Sequence, residues 1–157
     1  MFTPWTAGRL NLSHRIVMAP MTRIRADPAT MAPTESNCEY YAQRATPGAL
    51  ITSEAITVSP EATPVWDIYA RVRETGDCAP GIWTREQTAR WADVVKAVHA
   101  RGALMTAQLN HAGRVAQKQI GEHPIVKGTG CSLPPVSSSA VKIPVSSEAG
   151  NHYNWDQ

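Results

Sequence analysis

Apolar positions along the chain fall into two alternating patterns, short continuous runs and helix-spaced stripes. Arg15-Ile16-Val17-Met18-Ala19 is a short apolar run closed by Pro20, and it reads as a buried strand. In Thr34 to Ala45, the residues Cys38, Tyr41, Ala42 and Ala45 recur at i, i+3, i+4 and i+7, which is one face of a helix. Thr34 is a candidate cap for its start, and Pro47-Gly48 ends it. Ala49-Leu50-Ile51-Thr52-Ser53-Glu54-Ala55 follows as a second strand. Trp91, Val94, Val95 and Val98 repeat the helical spacing, after Thr84 and Gln87 at the spacing of a capping box. Arg101 falls in the last turn of this helix, and Gly102 suits the left-handed position after it. Ala103-Leu104-Met105-Thr106-Ala107-Gln108-Leu109 is the third strand. The pattern thus predicts strands over 15–19, 49–55 and 103–109 and helices over 34–46 and 85–101. The turn-rich segment from Phe2 to Ser13 is predicted as a small hairpin. After His111 the periodicity fades, and 115–157 is rich in Ser, Pro and Gly, with Pro134-Pro135 and Ser137-Ser138-Ser139.

The order β-α-β-α-β calls for parallel strands joined by right-handed crossovers, the start of either a doubly wound sheet or a barrel. The first β-to-α turn reads Pro20-Met21-Thr22-Arg23. It has no G-x-G-x-x-G to bring backbone against a pyrophosphate, which argues against a dinucleotide site of the Rossmann kind.

Composition narrows the function classes. With 43% hydrophobic and 18% charged residues the chain is globular, and a net charge of +2 gives no case for nucleic acid or an anionic membrane as partner. Cys38, Cys78 and Cys131 are widely spaced and form no C-x-x-C pair, so free thiols in a reducing compartment are expected rather than a metal site or a disulfide framework. Met1 to Leu10 lacks the basic and apolar regions of a signal peptide, and no apolar run reaches the ~20 residues of a membrane helix. A cytoplasmic location is the expectation. Asn11-Leu12-Ser13 then matches a glycosylation sequon only by coincidence.

Ligands of parallel α/β folds bind at the C-terminal ends of the strands. That rule selects Pro20-Met21-Thr22-Arg23, Ser53-Glu54-Ala55 and Gln108-Leu109-Asn110-His111. Thr22 offers a hydroxyl, and Gln108 offers an amide donor beside an acceptor, which suits a neutral heterocycle presenting C=O next to N–H. Each has a plainer alternative. Gln108 also suits a structural hydrogen bond, Thr22 a turn, Glu54 a paired structural carboxylate, and His111 with Arg114 an internal network. Spacing alone names no function.

Phe2-Thr3-Pro4, the run from Gly8 to Arg23, Tyr40-Tyr41-Ala42-Gln43-Arg44-Ala45, Ser53-Glu54-Ala55, Pro80-Gly81-Ile82-Trp83, Val98-His99-Ala100 and Gln108-Leu109-Asn110-His111-Ala112-Gly113-Arg114 together resemble the old yellow enzyme family, in that family's order. The match covers residues 2–114. It is weak over 115–157, mainly at Pro135-Val136-Ser137-Ser138-Ser139-Ala140. The resemblance implies an α/β fold, the (β/α)₈ TIM barrel, with FMN at its C-terminal mouth. A closed barrel typically needs about 250 residues. The 157 here imply a partial barrel, about the first three β/α strands with the N-terminal hairpin. Residues 1–114 would be the N-terminal part of that barrel and 115–157 an irregular segment before the rest. By the same resemblance Pro20, Met21 and Thr22 line the flavin, Ala55 packs against its ring, and Gln108 binds its pyrimidine edge. The implied reaction carries a hydride from NADPH or NADH through FMN to the activated C=C bond of an α,β-unsaturated carbonyl, a small enone-type substrate.

The sequence departs from the family pattern at three places. Glu61 to Ala79 is longer than the usual connection, and Asn110 stands where many relatives carry Trp. The family's carbonyl-gripping His-plus-His/Asn pair, its tyrosine proton donor and its phosphate loops would lie beyond residue 157, and neither His152 nor Tyr153 aligns with them. No catalytic residue and no metal ligand is therefore assigned within the chain, and the chain alone is expected to be inactive. The alternative is a non-catalytic remnant that acts by pairing with another chain. Three strands cannot close a barrel, so an exposed edge at the third strand is expected.

Overall fold

The structure, a computed structural model, describes residues 1–63 and 78–113. Most of the long connection from Glu61 to Ala79, and Arg114 with the whole Ser/Pro-rich segment, Cys131, His152 and Tyr153 included, lie outside the described residues. The elements are β1 (Trp5–Ala7), β2 (Leu10–Leu12), β3 (Val17–Met18), α1 (Glu35–Ala42), β4 (Leu50–Thr57), α2 (Arg85–His99) and β5 (Leu104–Asn110), with a short 3₁₀ turn at Pro60–Ala62.

The hairpin expected near the N-terminus is present as the antiparallel pair β1–β2. The remaining strands form a parallel sheet in the order β3-β4-β5. Element bounds shift from the expected ones. β3 keeps only two residues of its apolar run, because Pro20 lacks an N–H to continue a ladder. β4 instead runs two residues past Ala55, to Thr57. α1 stops at Ala42 rather than near residue 46, and turns through Gln43 and Arg44 carry the chain to Pro47.

Both helices cover one face of the sheet. Tyr41, Trp91, Val94 and Val98 are buried with Ile51 and Ile56 in one apolar cluster. The Tyr41 and Trp91 rings lie 6.3 Å apart at 49°, and the Trp91 indole N–H donates to the Gly81 carbonyl at 3.1 Å. α2 opens on the expected capping box. Gln87 N–H donates to Thr84 Oγ1 at 3.1 Å, and Thr84 N–H donates to Gln87 Oε1 at 3.1 Å. Gly102 adopts φ +76 after α2, the left-handed conformation that glycine enters without steric cost.

A second, smaller cluster pins the long connection between β3 and α1. Ala26 and Met31 pack with Cys78, Ala79 and Trp83. Gln87 Nε2 donates to Thr30 O at 2.9 Å, and Gly81 N–H donates to Met31 O at 2.9 Å. A Cβ at Gly81 would sit 2.2 Å from the Trp83 ring, so this close approach requires glycine. At the far side of the sheet β5 is the edge strand among the described residues, and Leu109 on it is 63% exposed.

Candidate functional site

The register of the sheet places the strand ends side by side. Val17 stands opposite Leu50, and Leu50 opposite Leu104. Higher up Thr52 faces Thr106, then Ala55 faces Gln108, and at the top Thr57 faces Asn110. Neighbours in a parallel ladder share a face, so the helix-free side of the sheet runs from aliphatic at the bottom to polar at the top. Thr106 Oγ1 lies 3.2 Å from Thr52 Oγ1, joining the middle row.

Simple alternation would send Thr52 and Ala55 to opposite faces. A register shift between them prevents this. Ser53 and Glu54 on β4 oppose the single residue Ala107 on β5, which is the geometry of a β-bulge. The extra residue resets the phase, so Ile51 and Ile56 both enter the helix-side core while Thr52 and Ala55 share the other face. Ser53 repairs the ladder across the bulge. Its hydroxyl accepts from the Gln108 N–H at 3.0 Å and donates to the Glu54 carbonyl at 2.8 Å.

Glu54, beside Ala55, is completely buried. Its Oε2 accepts the backbone N–H groups of Arg23 (2.9 Å) and Ile24 (3.3 Å). Its Oε1 accepts from Asn37 Nδ2 (3.2 Å) and the Tyr41 hydroxyl (3.3 Å). The Tyr41 oxygen in turn accepts the Glu54 backbone N–H at 2.7 Å. These partners are backbone and neutral side-chain donors, the surroundings of the structural carboxylate that the sequence offered as the plainer reading of Glu54. Ile24 sits at φ 55, which is uncommon for a β-branched residue and typically costs about 1–3 kcal/mol. The consecutive N–H groups of Arg23 and Ile24 converge on one carboxylate oxygen, as in a backbone nest. The Arg23 guanidinium lies 4.8 Å over the Tyr40 ring, and Arg44 packs on the same ring at 3.7 Å.

Burial pushes the Glu54 carboxyl above its ordinary value of 4.5, and its four donors pull it back only in part. Desolvation and the neighbouring Glu54 charge raise the Tyr41 hydroxyl as well. The Glu54 shift fixes a sign. A carboxyl raised in the folded state stabilises fully below 4.5 and loses that contribution as pH rises through the raised value. Stability is therefore expected to fall across that window in the natural chain, and the slope to vanish in Glu54→Gln. Urea melts at successive pH values test this; identical slopes in the two proteins would show that Glu54 does not titrate there.

The structure brings the predicted site residues to one end of the sheet. Ala55 and Gln108 are direct register partners. Pro20, Met21 and Thr22 are exposed and follow the C-terminal end of β3 directly, one residue before the first N–H held by Glu54. Asn110 ends β5, and its carbonyl accepts the Val58 N–H at 3.3 Å. His111 Nδ1 accepts the Gly113 N–H at 2.9 Å, a local turn contact. Sequence reasoning missed the bulge, the bridging hydroxyl of Ser53 and the role of Asn37. The signal available was the run Thr52-Ser53-Glu54, three consecutive polar residues that break the alternation of the strand. Among the described residues no three His, Cys, Asp or Glu side chains gather as a metal site, and no helix is long and apolar enough to cross a membrane.

Comparison with known proteins shows what the chain is similar to. A model of the NADH:flavin oxidoreductase / NADH oxidase family matches residues 1–145. A putative 12-oxophytodienoate reductase 4 of rice (Oryza sativa subsp. japonica) is 41% identical over 128 residues, 80% of this chain and 30% of the relative. The NADP-dependent oxidoreductase lnbE of Aspergillus flavus is 42% identical over 144 residues, 91% of this chain and 33% of that protein. Among solved structures, morphinone reductase superposes with a TM-score of 0.70 at 39% identity, covering 90% of this chain and 32% of the other. Morphinone reductase in complex with tetrahydroNAD gives 0.62 at 40% identity, covering 76% and 29%. The chain thus spans about a third of the length of the relatives it matches.

Proposed function

The chain belongs to the NADH:flavin oxidoreductase / NADH oxidase family, the old yellow enzyme family that its motifs resemble, and from that membership we propose that it forms the first strands of an FMN-binding (β/α)₈ barrel of an NAD(P)H-dependent ene-reductase. The observation that carries this proposal is the placement of the Thr22 segment, Ala55 and Gln108 at one end of the parallel sheet. Their chemistry fits the edge and face of a flavin ring. The small side chain of Ala55 leaves room for a flat ring beside it. The exposed carboxamide of Gln108 supplies a donor and an acceptor in one plane, matched to alternating C=O and N–H. Pro20 and Met21 give apolar surface at the rim, and Thr22 gives a hydroxyl for a ring carbonyl.

FMN, when bound, supplies the transfer of a hydride from NADPH or NADH to an activated C=C bond. The chain's own residues bind and orient. Gln108 and Thr22 would hold the edge of the ring, and the bulge at Ser53-Glu54 sets Ala55 opposite Gln108, where its small side chain would leave room for the ring. The relatives' names include an NADP-dependent oxidoreductase and 12-oxophytodienoate reductases, which supports a nicotinamide donor and a conjugated carbonyl acceptor.

FMN titration followed by flavin fluorescence tests the proposal. The natural chain is expected to bind FMN weakly, through the ring contacts alone, and Gln108→Ala to weaken binding about tenfold further, the loss of roughly one or two ligand hydrogen bonds. Equal affinity in the two proteins would overturn the assignment of Gln108 to the flavin.

A further inference from the structure

Thr22 has no regular element to hold it. β3 ends at Met18, Pro20 cannot donate a backbone hydrogen bond, and Met21 and Thr22 are exposed. The next residues are nonetheless locked. Arg23 and Ile24 present consecutive N–H groups to one oxygen of Glu54, and Ile24 has a positive φ of 55. A β-branched residue keeps such a conformation only where its surroundings over-determine it.

The surroundings here are a single side chain with several anchors. Glu54 is completely buried. Asn37 and Tyr41 of α1 hold its other oxygen, and Tyr41 also holds its backbone N–H. Its carbonyl takes the hydroxyl of Ser53, whose oxygen accepts the Gln108 N–H. Ala55 follows in sequence and pairs with Gln108. One residue therefore connects the Thr22 segment, Ala55 and Gln108.

We propose that Glu54 is the positioning residue of the strand-end site, its carboxylate holding the segment that carries Thr22 at the level of the Ala55–Gln108 pair. The proposal rests on the flavin assignment for what Thr22 contacts, and on the hydrogen bonds to Glu54 for how Thr22 is held. Glu54 touches no ligand in this account and acts through Thr22. Glu54→Gln would turn one acceptor oxygen into a donor facing donors, releasing one side of the clamp.

Two measurements separate the parts. In the natural chain, the Arg23 and Ile24 amides are expected to exchange with D₂O at least about tenfold more slowly than an unstructured chain, although Arg23 is a surface residue. In Glu54→Gln that protection is expected to disappear while the amides of α2 stay protected. Unprotected amides in the natural chain, or protection unchanged by the substitution, overturn the clamp.

The second measurement is a double-mutant cycle on FMN affinity. Thr22→Ala and Glu54→Gln are each expected to weaken FMN about tenfold, and together no more than the stronger single change, because one acts through the other. Additive losses would show a general structural effect and overturn the positioning role. An FMN affinity indifferent to Thr22→Ala, with the amides still protected, overturns the flavin assignment of Thr22 and leaves the clamp standing. Should Glu54→Gln not fold, Glu54→Asp replaces it in both measurements. It keeps the charge but is one methylene short of spanning from Asn37 and Tyr41 to Arg23 and Ile24.

Discussion

Glu54→Leu is expected to destabilise the chain by about 2–6 kcal/mol, the summed cost of stranding two buried donors at about 1–3 kcal/mol each. Leucine nearly fills the volume, so little cavity cost enters. What remains is four donors without an acceptor. They do not count equally. The N–H groups of Arg23 and Ile24 lie near the surface and reach water once released. The Asn37 amide and the Tyr41 hydroxyl are fully buried and do not. Most of the loss is therefore assigned to α1, at about 1–3 kcal/mol for each unsatisfied group. Domains have only about 5–15 kcal/mol in total. Urea unfolding followed by tryptophan fluorescence measures the effect, and a loss below about 1 kcal/mol would mean that the carboxylate is not the acceptor these groups depend on.

The outline of this fold was legible because it rests on local periodicity. Trp91, Val94 and Val98 stand on one helical face by spacing alone, and all three are buried. The capping box at Thr84 and Gln87 needs only residues three apart, and it forms. The ladder order follows from the alternation of strand and helix, and the sheet is parallel. The bulge was not legible. Whether Ser53-Glu54 occupies one register step or two depends on β5, more than fifty positions away in the chain. The partners of Glu54 were hidden for the same reason. They come from the β3–α1 connection and from α1 itself, and only the folded chain brings Arg23, Asn37 and Tyr41 to one carboxylate. The shortening of α1 likewise reflects a choice that propensity leaves open. Gln43 to Ala45 turn away from the helix so that Ala45 and Ala49 can both enter the core ahead of β4.

Trp91→Ala carries the other large expected loss, about 3–5 kcal/mol, as for other large aromatic side chains truncated in a core. Trp91 is only 5% exposed and packs at the centre of the cluster that joins α1, α2 and the sheet. Its indole N–H also satisfies the Gly81 carbonyl, on the segment that pins the β3–α1 connection. The effect should therefore reach the strand-end site through a definite route. Without Trp91 the Tyr41 ring loses its neighbour on α2, and Tyr41 is the residue that holds both ends of Glu54. Trp91→Phe separates packing from hydrogen bonding. It keeps an aromatic ring beside Tyr41 but gives up the bond to Gly81 and the outer part of the indole, so it is expected to cost about 1–3 kcal/mol, less than the alanine. Denaturation midpoints of both variants, with amide exchange at Arg23 and Ile24, provide the check. Equal losses in the two variants would place the contribution of Trp91 in its hydrogen bond rather than its bulk. Arg23 and Ile24 amides left untouched in a folded Trp91→Ala would show that the core does not support the site through Tyr41.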